Sequence, residues 1–361
     1  MYRYEEIKQV HLEITSACNA SCPLCLRNVF GGRVNEYLPI SELTLSDIES
    51  IFPPDFVQQL DLLYLCGNYG DPMVARDTLE VLEYFRACNT KLHLGIYTNG
   101  SGGSSAWWAR LAGVVDYCRF GIDGLEDTNH LYRRGTHWNK IMKSVIAFIE
   151  AGGNAEWDFI VFRHNEHQVE QARELSGNLG FKKFYVKKTY RFFNLKTGHK
   201  REDSPVYSRD GNIEYFIEAP LSPDYQNHSL VQIDHMASDQ NDYRAYLDMT
   251  KINCKVAMSK KLYLSAEALA FPCCWTANIY PWYQPLESSE IWQLIRELPE
   301  GRNSIDARRQ PLKEIVDGDL FQKLIPERWH RASLAEGRLE VCSRVCGEYD
   351  MYASQFAGPS I

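Results

Sequence analysis

The feature that most constrains the fold is an alternation repeated six times between residues 10 and 188. Short apolar runs at residues 10–14, 61–66, 92–97, 117–122, 157–162 and 181–188 predict strands. Between them, apolar residues recur every three or four positions, which predicts helices. Leu45, Ile48 and Phe52 mark the first, over residues 44–52. Leu79, Leu82 and Phe85 mark the second, where Asp77 and Glu80 have capping-box spacing. Trp107, Trp108 and Leu111 mark the third, over residues 105–115. Trp138, Ile141, Met142, Val145 and Ile149 mark the fourth, ended by Gly152-Gly153. Val169, Ala172 and Leu175 mark the fifth, ended by Gly180. Strand–helix units in series imply an α/β fold with a parallel sheet and right-handed crossovers. The natural closure is a partial (β/α)6 TIM-like barrel, with its chemistry at the C-terminal ends of the strands.

The pattern stops near residue 190. Residues 191–250 are polar and irregular, with Asp210-Gly211 as a hairpin turn. A second hairpin is predicted around Ala266-Glu267, and short helices over residues 289–298 and 312–324. Three regions follow: 1–190, 191–250 and 251–361. No apolar run approaches the roughly 18 residues of a membrane helix. The acidic start lacks the apolar segment of a signal peptide, so a cytoplasmic location is expected, with no membrane partner. A net charge of −8 argues against general nucleic-acid binding. The basic run Lys182, Lys183, Lys187, Lys188, Arg191, Lys196, Lys200 and Arg201 contains no acid. It reads either as a solvated face or as an anion site near the barrel mouth, with Lys187, Lys188 and Arg191 as its candidate residues.

The chain has 11 cysteines, more than disulfides explain in a reducing compartment. Cys18, Cys22 and Cys25 form C-x3-C-x2-C just after the first strand. Three thiolates on one loop can hold three irons of a cubane and leave the fourth open to a small molecule. Zinc would call for a fourth protein ligand. Cys254, Cys273, Cys342 and Cys346 form a second set, able to saturate an iron–sulfur cluster or a structural zinc. Cys274 is an alternative to Cys273.

The first spacing, placed after the first strand of a β/α series, resembles the radical S-adenosylmethionine (SAM) superfamily over residues 10–190. The family's glycine-rich stretch after strand two resembles Gly67-Asn68-Tyr69-Gly70-Asp71-Pro72, longer than the usual Gly-Gly-Glu-Pro. Thr98-Asn99-Gly100 resembles the strand-three pattern, and Gly121-Ile122-Asp123-Gly124 the strand-four pattern, with glycine where serine is common. Tyr132-Arg133-Arg134-Gly135 resembles the Arg-Gly segment whose arginine pairs with the SAM carboxylate, a role that falls to Arg134 by its following glycine. The resemblance therefore implies SAM contacts at Gly67, Asn68, Gly70, Asp71, Thr98, Asn99, Asp123 and Arg134. The second cysteine set resembles the twitch domain, the shorter relative of SPASM, which carries one auxiliary [4Fe–4S] cluster.

The same resemblance implies a SAM-cleaving oxidoreductase or maturase with two [4Fe–4S] clusters, SAM, and an electron donor such as flavodoxin or ferredoxin. Cys66, ending strand two, is the candidate hydrogen donor; a buried structural thiol is its plainer reading. Oxidative modification of a peptide side chain is the leading expectation. Dehydrogenation, epimerisation or rearrangement of an anionic small molecule (a sugar, nucleotide or amino acid) is the alternative, and a non-catalytic metal protein the rival from another class. No leader-binding module precedes strand one in the sequence, which weakens the peptide case.

Overall fold

A computed structural model describes residues 1–194, 197–237, 240–280 and 284–355, with backbone alone at 240–242. Lys196 of the basic run lies outside the described residues. The six expected strands are β1 (Gln9–Leu12), β2 (Leu62–Leu65), β3 (His93–Thr98), β4 (Tyr117–Gly121), β5 (Ala155–Ile160) and β6 (Lys183–Lys187). Each pairs in parallel with the next. A two-stranded antiparallel sheet follows, β7 (Asp203–Tyr207) and β8 (Ile213–Glu218), closed by the Asp210-Gly211 turn in which Gly211 has φ +88°.

Side chains alternate across each strand, so one face of the sheet meets the helices and the other lines the concave interior. Val10 and Leu12, Leu63 and Leu65, Leu94 and Ile96, and Phe120 are fully buried in the main core. The helices Ser105–Ala112 and Trp138–Glu150 supply Trp108 and Phe148, whose rings meet edge to face at 6.4 Å. Burial of each such ring contributes about 1.5–3 kcal/mol. The interior face carries His11, Glu13, Tyr64, Cys66, Tyr97, Arg119, Asp158 and Lys187 instead, polar at nearly every position.

Two details depart from expectation. Asp77 flanks the helix Thr78–Cys88 without capping it through its side chain; its carboxylate instead accepts from Leu45 N at 3.1 Å, holding the start of the helix Leu45–Ile51, while Glu80 pairs with Arg110. The second hairpin, β9 (Lys261–Leu264) and β10 (Ala270–Phe271), is not a separate layer. β9 runs parallel to β1 in the register His11↔Tyr263, so the sheet has the order β10-β9-β1-β2-β3-β4-β5-β6. The boundary expected at residue 251 therefore precedes a hairpin that is built into the barrel sheet. Among the described residues no helix is long and apolar enough to cross a membrane.

Candidate active site

The loop leaving β1 turns sharply through its cysteines. Cys25 N donates to Cys22 O at 3.1 Å and Asn28 N to Cys25 O at 3.0 Å. Ser21 N donates to Arg134 O and Arg27 Nε to Ser16 O, fixing the loop at both ends. Cys22 is buried among Leu24, Tyr132, Phe162 and Phe192, with Cys18 and Cys25 at the rim. Burial pushes the Cys22 thiol up to about 11, against the pull of the Arg133 guanidinium, and raises Cys18 as well. Metal binding replaces those protons. Two donors already face Cys18 Sγ: Ala20 N at 3.3 Å and Asn99 Nδ2 at 3.8 Å.

The glycine-rich loop after β2 packs against this loop. A Cβ on Gly70 would lie 1.8 Å from Thr15 O, and one on Gly67 2.1 Å from Gly70 O, so both positions demand glycine. Asp71 N donates to Ala17 O at 2.9 Å. Glu13 organises the loop from below: its Oε1 accepts from Tyr69 N at 2.7 Å and Gly70 N at 3.0 Å, and its Oε2 from Tyr263 Oη on β9. Asn68 Nδ2 donates to Cys274 O at 2.8 Å, a second tie to the C-terminal region.

Asp71 and Thr98, expected to face SAM, are satisfied by the protein. Asp71 Oδ1 accepts from Thr98 Oγ1 at 2.8 Å and Met73 N at 3.1 Å, and Oδ2 from Asn99 N at 2.7 Å. They fasten the β2 loop to the end of β3. Asn99 in turn donates to Asn19 Oδ1 at 2.8 Å beside Cys18.

At the end of β4 the fully buried Asp123 accepts from Ile160 N at 2.6 Å and pairs with Arg133 Nε at 2.5 Å. Arg134, expected to meet the SAM carboxylate, is engaged by the protein. Its guanidinium donates to Tyr207 O at 2.7 Å and pairs with Glu214 at 2.5 Å, on the β7–β8 sheet. Arg133 acts on Cys22, as Arg191 does more weakly. It also accounts for Gly121: a Cβ there would lie 2.4 Å from Arg133 Nη2.

The basic run does not act as one surface. Lys187 pairs with Asp158, and Lys183 with Glu156 at 3.0 Å, so β5 neutralises β6. Lys188 is held by its backbone, N–H to Gln355 O and carbonyl to Asn227 Nδ2. Arg191 alone of the three candidates approaches the first cysteine site: it donates to Tyr132 Oη, and among the described residues no carboxylate pairs with it. Cys66 faces the barrel interior, where burial pushes its thiol up to about 12.

The second cysteine set lines one cavity of about 130 Å³, with Cys254, Cys273, Cys274, Cys342 and Cys346 on one side and His11, Tyr64, Lys261 and Tyr263 of the barrel on the other. Cys254 and Cys346 act on one another, which lowers the Cys346 thiol and raises that of Cys254. Thr276 N donates to Cys273 Sγ at 3.5 Å. Among the described residues no three potential ligands converge on one point as around a single ion; a cluster takes each thiolate on a separate iron. The donor sets suit clusters in both places: soft thiolates, in a three-plus-open and a four-thiol arrangement.

Sequence reasoning passed over Glu13, Tyr263 and Asp158, and ranked Arg133 below Arg134. Glu13 had a signal, an acid inside an apolar strand. Tyr263 had none, since nothing local places β9 beside β1.

No family model matches the chain, and no curated protein matches it by sequence. Solved structures do match. Streptococcus suis SuiB bound to S-adenosylmethionine is similar over 93% of this chain and 77% of its own, with TM-score 0.53 and 13% identity. Polyhistidine-tagged anSMEcpe with bound AdoMet is similar over 97% and 91%, also with TM-score 0.53 and 13% identity. Native anSMEcpe with AdoMet and the Cp18Cys peptide is similar over 96% and 94%. The chain therefore has the fold that these solved structures share.

Proposed function

We propose that the chain is a radical SAM enzyme. The observation that carries this reading is the junction of three loops: the Cys18–Cys22–Cys25 loop lies under the Gly67–Gly70 loop, and Asp71, Asn99, Asp123 and Arg133 lock the strand ends around it. Cys18, Cys22 and Cys25 would hold the open-iron cluster; Cys254, Cys273, Cys342 and Cys346 the auxiliary one, with Cys274 in reserve. Held by these residues, the cluster and SAM would supply one-electron radical chemistry able to take a hydrogen atom from a substrate.

The chain's own residues position the reactants. The backbone of Gly67, Asn68 and Gly70 offers a cradle that any Cβ would fill. Arg133 pairs with Asp123 through Nε, and its two Nη groups would offer a bidentate grip for the SAM carboxylate. Asn99 donates to Cys18 and so tunes that thiolate. Arg191 is poised for a carboxylate or phosphate on a substrate, whereas Lys187 is already neutralised. A cluster held by the second cysteine set would lie across one cavity from the interior face, where it could accept an electron.

The substrate we favour is a peptide side chain, oxidatively modified, with a ferredoxin- or flavodoxin-type donor. SuiB bound to its precursor peptide SuiA and anSMEcpe with the Cp18Cys peptide share this fold and support that choice. Arg191 favours the second reading, an anionic small molecule. The test is incubation of reconstituted, dithionite-reduced protein with SAM. The expected result is 5′-deoxyadenosine from the wild type and none from the Cys18→Ala/Cys22→Ala/Cys25→Ala variant. Its absence from both would overturn the enzyme reading.

A further inference from the structure

One buried carboxylate oxygen inside the barrel receives no hydrogen bond. Asp158 on β5 is 4% exposed. Its Oδ2 takes the ion pair with Lys187, but its buried Oδ1 receives no hydrogen bond. Arg119 Nε stands 3.8 Å from it, beyond hydrogen-bond reach. Arg119 gives its donors to Glu156 instead, at 3.0 and 2.6 Å. An unmet buried acceptor costs about 1–3 kcal/mol, so this oxygen is prepared for a donor brought by a ligand.

The neighbours narrow the kind of donor. Lys187 and Arg119 already flank the carboxylate, and Arg119 is stacked over Tyr97 at 5.0 Å and Tyr185 at 4.2 Å. A third cation would meet repulsion there; a neutral hydroxyl would not. The register narrows its origin. Asp158 pairs with Gly121 across the β4–β5 ladder, so both positions face the same side. Gly121 is the position where the strand-four pattern commonly carries a serine hydroxyl. Here Arg133 fills the space a side chain would need. The hydroxyl that β4 lacks has a carboxylate oxygen beside it on β5, and a carboxylate is well suited to accept from a ribose hydroxyl.

We propose that Asp158 accepts a hydrogen bond from a ribose hydroxyl of SAM, beside the position where Gly121 of β4 offers no hydroxyl of its own. This rests on the SAM reading above. Asp158 is then a cofactor-binding residue, with Lys187 as the residue that positions it.

The test measures binding rather than turnover. Calorimetry on anaerobically reconstituted protein would compare S-adenosylhomocysteine with its 2′-deoxy and 3′-deoxy analogues, in the wild type and in Asp158→Ala. The wild type is expected to lose about 10- to 100-fold in affinity for one of the deoxy analogues, the range for a hydrogen bond to a charged group. Asp158→Ala is expected to lose a similar factor for S-adenosylhomocysteine and to stop distinguishing the analogues. Asp158→Asn, of the same size, serves if the alanine variant does not fold, and is expected to bind more weakly and discriminate less. A variant that keeps full affinity, or that still discriminates as the wild type does, overturns the proposal. Wild-type binding that is indifferent to both hydroxyls also overturns it and leaves the SAM reading standing. No binding of S-adenosylhomocysteine to the wild type overturns both.

Discussion

Glu13 shows how a single side chain ties this molecule together. It belongs to β1's run, reaches under the glycine loop through two backbone N–H groups, and meets Tyr263 of β9. Burial raises its carboxyl from an ordinary value of 4.5 to about 7, outweighing those three donors. The sign follows: a folded-state value above the unfolded one favours the protonated form, so its stabilising contribution is complete below about 4.5 and is lost as pH rises through about 7. Glu13→Gln removes that titration. The melting-temperature deficit of the variant against wild type should therefore be largest near pH 5 and shrink towards pH 8; a deficit that grows with pH would contradict the assignment. Gly70→Ala is the companion case. With Thr15 O 1.8 Å from the new methyl, it should cost about 1–3 kcal/mol in chemical denaturation and weaken SAM binding; wild-type stability would contradict the close approach. Residues of this kind divide by legibility. The cysteines and glycines announced themselves by spacing. The following glycine favoured Arg134 over Arg133, because nothing local says which of the two the β7–β8 sheet engages, a tertiary fact.

At the scale of elements, the barrel strands and helices were legible because each carries its own apolar period and its own stop residue, as Gly180 does with φ +93°. The C-terminal region was less so. Its helices are short, and its order comes from side chains reaching across gaps. Arg338 is the chief of these: it donates to Leu247 O at 3.1 Å, Trp329 O at 2.8 Å, Arg331 O at 3.2 Å and Ser343 Oγ at 3.0 Å, and also to Thr250 O. Those partners flank Cys254 on one side and Cys342 and Cys346 on the other. Arg338→Met leaves several buried carbonyls unpaired at once. It should strip the second cluster first, with iron falling from about eight towards about four per chain, and leave the first cluster in place. Full iron retention would show that the cysteines hold this region without Arg338.

At the scale of the whole molecule, the pairing of β9 with β1 joins what the sequence presents as two regions. One sheet carries the first cysteine loop at the strand ends, and one of its inward faces looks onto the second cysteine set through a shared cavity. No local pattern encodes that pairing; it needs a parallel match between segments some 250 residues apart, settled only by packing. The arrangement predicts two separable metal sites. Replacing Cys18, Cys22 and Cys25 with Ala should leave about four irons, as should replacing Cys254 and Cys342, each with the other site's spectrum unchanged. The claim on which everything else depends is that the first site keeps an iron open for SAM. Electron–nuclear double resonance on the reduced Cys254→Ala/Cys342→Ala protein, with SAM labelled by 15N in its amino group and 17O in its carboxylate, tests it directly. Hyperfine coupling from both labels is the predicted result. Coupling from neither, with the cluster intact and SAM present in excess, would contradict it.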